Sequence, residues 1–113
     1  MKIEHYTQTP SEVYPDMDGV SLRWVINKAD GAPTFAMRVI DVEPGCNTAY
    51  HTHDFEHGVF VLNGRGVVRH PDGEETPVEP DTVVFVPPNE KHGFYNRGDD
   101  VLRFICVIPL PEG

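Results

Sequence analysis

Apolar residues gather along the chain in short runs rich in β-branched and aromatic side chains, and no long segment repeats them at helical spacing. The runs fall at 20–26 (VSLRWVI), 34–42 (TFAMRVIDV), 58–62 (GVFVL), 65–70 (RGVVRH), 82–86 (TVVFV), 92–96 (HGFYN) and 101–108 (VLRFICVI). Turn-forming residues separate them, and eleven prolines and ten glycines leave few windows for a well-formed helix. The pattern predicts an all-β chain, its strands spaced as in a sandwich or barrel.

Three connections are legible. Asn63-Gly64 joins two residues that tolerate positive φ, so it predicts a tight hairpin linking the flanking runs directly. His70-Pro71-Asp72-Gly73 predicts a second turn and Val42-Glu43-Pro44-Gly45 a third. Residues 1–19 are polar and broken by proline, an arm that would add an edge strand, and Pro109-Leu110-Pro111-Glu112-Gly113 is not expected to continue a sheet. A chain of 113 residues with no linker or repeat is expected to form one domain with one continuous core.

Charge narrows the partners. With 18 acidic and 9 basic residues the net charge is -9, which repels a phosphate backbone and an anionic lipid surface alike. Neither nucleic acid nor membrane is therefore expected, and the acidic excess, spread along the chain, reads as a solvated surface. The N-terminus MKIEHYTQTP lacks a signal-peptide run, no stretch is apolar enough to span a bilayer, and Cys46 and Cys106 stand far apart. A cytoplasmic location follows as the expectation.

Four of the six histidines fall in two short stretches, His51-Thr-His53-Asp-Phe-Glu-His57 and Glu90-Lys91-His92-Gly93-Phe94. Residues two apart on a strand share a face, so His51 and His53 offer a ready chelate. The intervening DFE keeps His57 beside that pair, at the start of a strand that carries Val59 and Val61 inward, and His92 opens a run in which His92, Phe94 and Asn96 share a face. Glu56, next to His57, is the competing ligand; adjacent residues of an extended chain point oppositely, so only one of the two turns inward.

Residues 45–64, GCNTAYHTHDFEHGVFVLNG, resemble the first motif of the cupin family, in which a glycine, HxH, a further ligand and a glycine follow at fixed intervals. Gly45, His51, His53 and Gly64 match, with His57 where the family prefers glutamate. Residues 81–96, DTVVFVPPNEKHGFYN, are similar to the second motif, matching at Pro87, His92 and Asn96, with Asp81 and Asn89 at positions that favour glycine. Asp and Asn tolerate a left-handed backbone, so both turns can survive. The resemblance covers most of 34–108 and implies a small double-stranded β-helix, the jelly-roll barrel of that family. It is closest to minimal, single-domain cupins with four histidines as ligands. That subgroup implies manganese as the metal, held by His51, His53, His57 and His92, and a homodimer exchanging N-terminal strands; Val101 to Ile108, apolar on both faces, suits such packing.

Four neutral imidazoles leave an ion its full charge, which strengthens it as a Lewis acid and as an anion binder. By ligand type alone zinc, copper, iron or nickel suit the set better than manganese. Strand parity places Phe94, Phe104, Cys106 and Ile108 around an apolar cavity, with Arg38 as its fixed cation. Cys106 reads as a buried structural thiol, since no base stands beside it in sequence. Open metal positions and the lack of an obvious general base favour an oxidoreductase of dioxygenase type acting on a small organic substrate. A non-catalytic module binding a small molecule or the metal, and a metal-dependent isomerase or decarboxylase, are the alternatives, and fold does not choose among them.

Overall fold

The computed structural model describes residues 1–110. Nine strands follow in chain order: β1 (Glu12–Val13), β2 (Val20–Ile26), β3 (Phe35–Val42), β4 (His57–Asn63), β5 (Gly66–Arg69), β6 (Glu75–Val78), β7 (Val83–Val86), β8 (Gly93–Asn96) and β9 (Leu102–Pro109). The only helical elements among the described residues are two 3₁₀ turns, Tyr6–Gln8 and Lys28–Asp30. The all-β expectation holds, and no helix here is long and apolar enough to cross a membrane.

Six strands form one antiparallel sheet in the order β1-β2-β3-β9-β4-β7, and three form a second in the order β6-β5-β8. Between the sheets, alternate residues of each strand build the core: Val20 and Leu22 from β2, Ile40 and Val42 from β3, Val59 and Val61 from β4, Val68 from β5, and Leu102 and Phe104 from β9. The polar arm does add an edge strand, since β1 pairs with β2.

The turns show how backbone chemistry shapes the ends of the barrel. Gly45 has φ of 80° and Cys46 N–H donates to the Glu43 carbonyl at 3.0 Å, a hydrogen-bonded turn over Glu43–Cys46, one residue on from the four expected. Gly73 closes the turn between β5 and β6 on the His70 carbonyl. Asp81 and Asn89 adopt φ of 76° and 66°, so both take up the left-handed geometry at positions where the motif favours glycine.

Asn63-Gly64 departs from expectation. It does not close a hairpin: β4 pairs with β7 and β9, whereas β5 pairs with β6 and β8, so the dipeptide carries the chain from one sheet to the other. Gly64 alone of the two has positive φ, and a Cβ there would stand 2.3 Å from the Val101 carbonyl oxygen. Its role is close approach at a barrel corner. Strand β6, with Pro77 on the sheet's outer edge, is too polar to stand out by pattern, and β9 runs one residue further than expected, Pro109 pairing with Phe35. Pro111, Glu112 and Gly113 lie outside the described residues.

Candidate metal centre

Beyond β8 the smaller sheet continues irregularly. Residues 45–51 run antiparallel to β8, with bridges at Asn47↔Tyr95 and His51↔His92, and His51 and His92 exchange both backbone hydrogen bonds at 3.0 Å. This pairing, rather than a regular strand through 51–53, brings the two halves of the site together. His53 sits in the loop that follows, and its carbonyl accepts from Asn89 N–H, tying the two motifs at a second point. His57 opens β4 opposite Val86, as the spacing predicts.

The imidazoles converge. His51, His53 and His92 place their candidate ligand nitrogens all within 4.8 Å of one another, with the His51 and His53 Nε2 atoms 2.6 Å apart. The His57 ring lies beside them, its centroid 4.7 Å from His53 and 5.1 Å from His92, though its ligand atom falls outside that three-histidine group. His57 is buried and Glu56 exposed, the alternation expected of neighbours on an extended chain.

Hydrogen bonds select which nitrogens remain free. His92 Nδ1 lies 2.9 Å from the Glu90 carbonyl, which only accepts, so Nδ1 carries the proton and Nε2 its lone pair. His57 Nδ1 contacts Cys106 Sγ at 3.2 Å, while its buried Nε2 has no hydrogen-bond partner among the described residues. Burial favours the neutral form of three of these rings. It is the main cause lowering the pKa of His51, of His53 to about 4 and of His57 to about 3, with neighbouring imidazoles adding to the effect and Arg38 contributing at His53 and His57. Neutral rings with bare nitrogens are what a divalent ion requires, so the donor set fits a metal.

A cavity of about 40 Å³ opens onto the histidines, lined also by Arg38, Ile40, Thr48, Phe94, Phe104 and Cys106, with Tyr14 and Met17 from the arm. No carboxylate is among its lining residues. Phe94 and Phe104 stack at 4.6 Å and form an apolar wall. Arg38 is buried beneath the Trp24 ring, 5.4 Å from its centroid, donates to Cys106 Sγ at 3.1 Å, and its Nε has no hydrogen-bond partner among the described residues. Four of the five expected pocket residues thus line the cavity; Ile108 does not, since it lies further along β9 opposite Ala36, in the apolar core. Both cysteines are free, and burial raises the Cys106 thiol pKa, partly offset by Arg38.

Several site residues escaped the sequence reading. Phe55 stacks on His53 at 4.9 Å, and Tyr14, Met17 and Trp24 reach the site from segments outside both motifs. Only the aromatic residue inside the ligand loop carried any signal. A larger cleft, about 630 Å³, lies on the outer face of the six-stranded sheet under the arm, lined by residues such as Val25, Met37, Val39, Leu62 and Ile105. Among the described residues that line it there is no histidine.

The family model described as "Cupin domain" matches residues 38–108. A glucose-6-phosphate isomerase of Pyrococcus abyssi is 38% identical over 69 residues, 57% of this chain and 36% of that protein. The tetracenomycin polyketide synthase protein TcmJ of Streptomyces glaucescens is 32% identical over 87 residues, 73% of this chain and 58% of its own length. The chain therefore spans little more than a third to three fifths of these relatives. Among solved structures, the polyketide cyclase RemF from Streptomyces resistomycificus superposes with a TM-score of 0.92 at 32% identity, covering 98% of this chain and 80% of that one.

Proposed function

The chain belongs to the cupin family, and from that premise we propose that it is a metal-dependent enzyme acting on a polycarbonyl substrate, with one divalent ion on His51, His53, His57 and His92. The observation that carries this reading is the convergence of three imidazole nitrogens within 4.8 Å, in a cavity lined by Arg38 and by no carboxylate. Likeness to the polyketide cyclase RemF over nearly the whole chain favours a cyclase-type reaction, and likeness to the polyketide synthase protein TcmJ over most of it favours the same substrate class.

An ion held by four neutral ligands would supply Lewis acidity toward carbonyl and enolate oxygens. The chain's own residues do the rest. Arg38, a buried cation, meets negative charge on the substrate, and no acidic side chain in the cavity competes for it. Phe94 and Phe104 keep water from the reacting edge, where the low dielectric strengthens each charge contact. At about 40 Å³ the cavity has room for the oxygen-bearing edge of a substrate, far below the roughly 300 Å³ at which pockets enclose a whole drug-sized molecule. A dioxygenase reaction at the same ion is the second reading, favoured by the apolar wall.

Elemental analysis of the native protein tests the metal, with about one first-row divalent ion per chain expected and manganese the first to be sought. Acetylacetone, a simple 1,3-diketone, tests the substrate class: the metal-loaded protein should shift its enolate absorption and the metal-free protein should not. No shift would remove the polycarbonyl reading, and dioxygen uptake in the same cell would favour the dioxygenase.

We also propose a homodimer formed through the outer face of the larger sheet, in a cytoplasmic setting consistent with two free cysteines. Antiparallel sheets that face water on one side usually turn polar residues outward. Here Met37, Val39, Leu62 and Ile105 line the outer cleft, and Phe35, Phe60, Val83 and Phe85 are exposed. A patch of this kind marks a covered surface. Light scattering should give twice the chain mass; a monomer would refute the dimer.

A further inference from the structure

Building on the metal-binding reading above, we propose that Cys106 is a positioning residue, whose Sγ accepts the His57 Nδ1–H and thereby leaves His57 Nε2 bare for the ion.

Both groups are deeply buried, Cys106 at 2% and His57 at 6% exposure, so neither settles its hydrogen bonds with solvent. Arg38 Nη2 donates to Sγ at 3.1 Å and so engages one sulfur lone pair; the sulfur can still meet His57 Nδ1 through its other lone pair or its S–H, and the buried Nε2 decides between them. Neutral imidazole has one donor and one acceptor nitrogen. With the proton on Nδ1, the 3.2 Å contact to Sγ is satisfied and Nε2 presents a lone pair. With the proton on Nε2, a buried N–H is left with no acceptor, the costlier arrangement.

The backbone fixes this geometry. Cys106 pairs with Arg38 across β3 and β9 and with Val59 across β4 and β9, so the thiol is set beneath the start of β4 by strand register. Trp24 packs over the guanidinium from β2 and holds it in place. His92 receives the same treatment from a different acceptor, its Nδ1 bound to the Glu90 carbonyl. Partners behind a ligand imidazole orient the ring and set its tautomer, and their loss typically lowers metal affinity about 10- to 100-fold.

Long-range ¹H–¹⁵N correlation spectra of the histidine rings, with and without zinc as the probe, read the tautomer directly. The wild-type protein should show His57 protonated on Nδ1. In Cys106→Ala the Nε2–H form should appear and zinc affinity fall about 10- to 100-fold, while Cys106→Ser, which keeps an acceptor, should retain both the tautomer and most of the affinity. A wild-type His57 protonated on Nε2 would overturn the assignment, as would a folded Cys106→Ala protein with unchanged tautomer and affinity. Should that variant not fold, the wild-type spectrum decides alone. Failure of the wild type to bind any zinc would refute the metal reading, while the ring tautomer in the same spectra still judges Cys106.

Discussion

The two faces of the smaller sheet carry clusters of aromatic and ionisable side chains built on opposite terms. On the outer face, Arg69 donates to Glu75 at 2.7 and 3.0 Å and to the Tyr95 hydroxyl at 2.8 Å, Arg97 donates to the same Glu75, and both guanidinium groups lie over the Tyr95 ring. Arg69 and Arg97 thus find their counter-charge in Glu75. On the inner side, where His51 and His92 at its edge meet His57 and Arg38 from the larger sheet, no carboxylate is among the described residues lining the cavity, and His57 Nε2 and Arg38 Nε have no hydrogen-bond partner among the described residues. A closed network answers itself, whereas an open one in a buried cavity leaves groups to meet a ligand. The contrast separates polar residues that answer one another on the surface from those left open for the proposed ion.

The largest expected effect is on metal binding. His53→Ala should lower affinity by more than about a hundredfold, since loss even of a partner behind a ligand typically costs 10- to 100-fold. Glu75→Gln should leave it unchanged. Isothermal titration with zinc checks both, and equal losses would erase the distinction between the faces.

Next comes the dependence of stability on pH in the metal-free protein. Folding lowers the pKa of His53 to about 4 and of His57 to about 3, so the folded chain binds fewer protons than the unfolded one below pH 6.5. Their contribution is complete above that pH and declines as acid is added, by roughly 2 kcal/mol at pH 4 after allowing for partial solvation. Glu75 is also held below its ordinary value, by Arg69 and then Arg97, so its contribution is lost only in the acid range below about 4.5. A fall in Tm between pH 6.5 and 5 therefore reports the inner face, and a flat profile there would refute its buried neutrality.

The smallest effect belongs to the outer network. Glu75→Gln should lower Tm slightly at low salt, and the difference should vanish in 1 M salt, because exposed ion pairs are weak and screened. A large, salt-resistant loss would mean that this cluster bears more of the fold than its exposure implies.

Much of this was legible in the sequence because local chemistry left little choice. HxH, His57 and His92 carried their spacing on the surface, and Asp81 and Asn89 marked left-handed turns as glycine would. What escaped depends on the third dimension. Asn63-Gly64 has hairpin chemistry, yet Gly64 serves a corner where the Val101 carbonyl comes close, a contact set by residues remote in sequence. The strand parity invoked for His51 and His53 fails locally, since they converge through a bridge to β8 and a loop. Ile108 obeys parity along β9 but lies beyond the cavity, because parity assigns a face and not a depth. The Arg69 network was invisible, as its members come from β5, β6 and β8 and each alone reads as ordinary surface.

The position of β9 has a consequence in time. It lies between β3 and β4 in the larger sheet, supplies Phe104 to the cavity and sets Cys106 beneath His57, yet it is encoded after every other strand described. All four histidines precede in the chain the strand that fills the middle of the sheet. Until residues 102–109 arrive, β3 and β4 have no common neighbour, and long-range pairings of this kind form slowly. On the proposed metal reading, an ion met before β9 is in place would find histidines without a shaped site, so folding would come first and loading second.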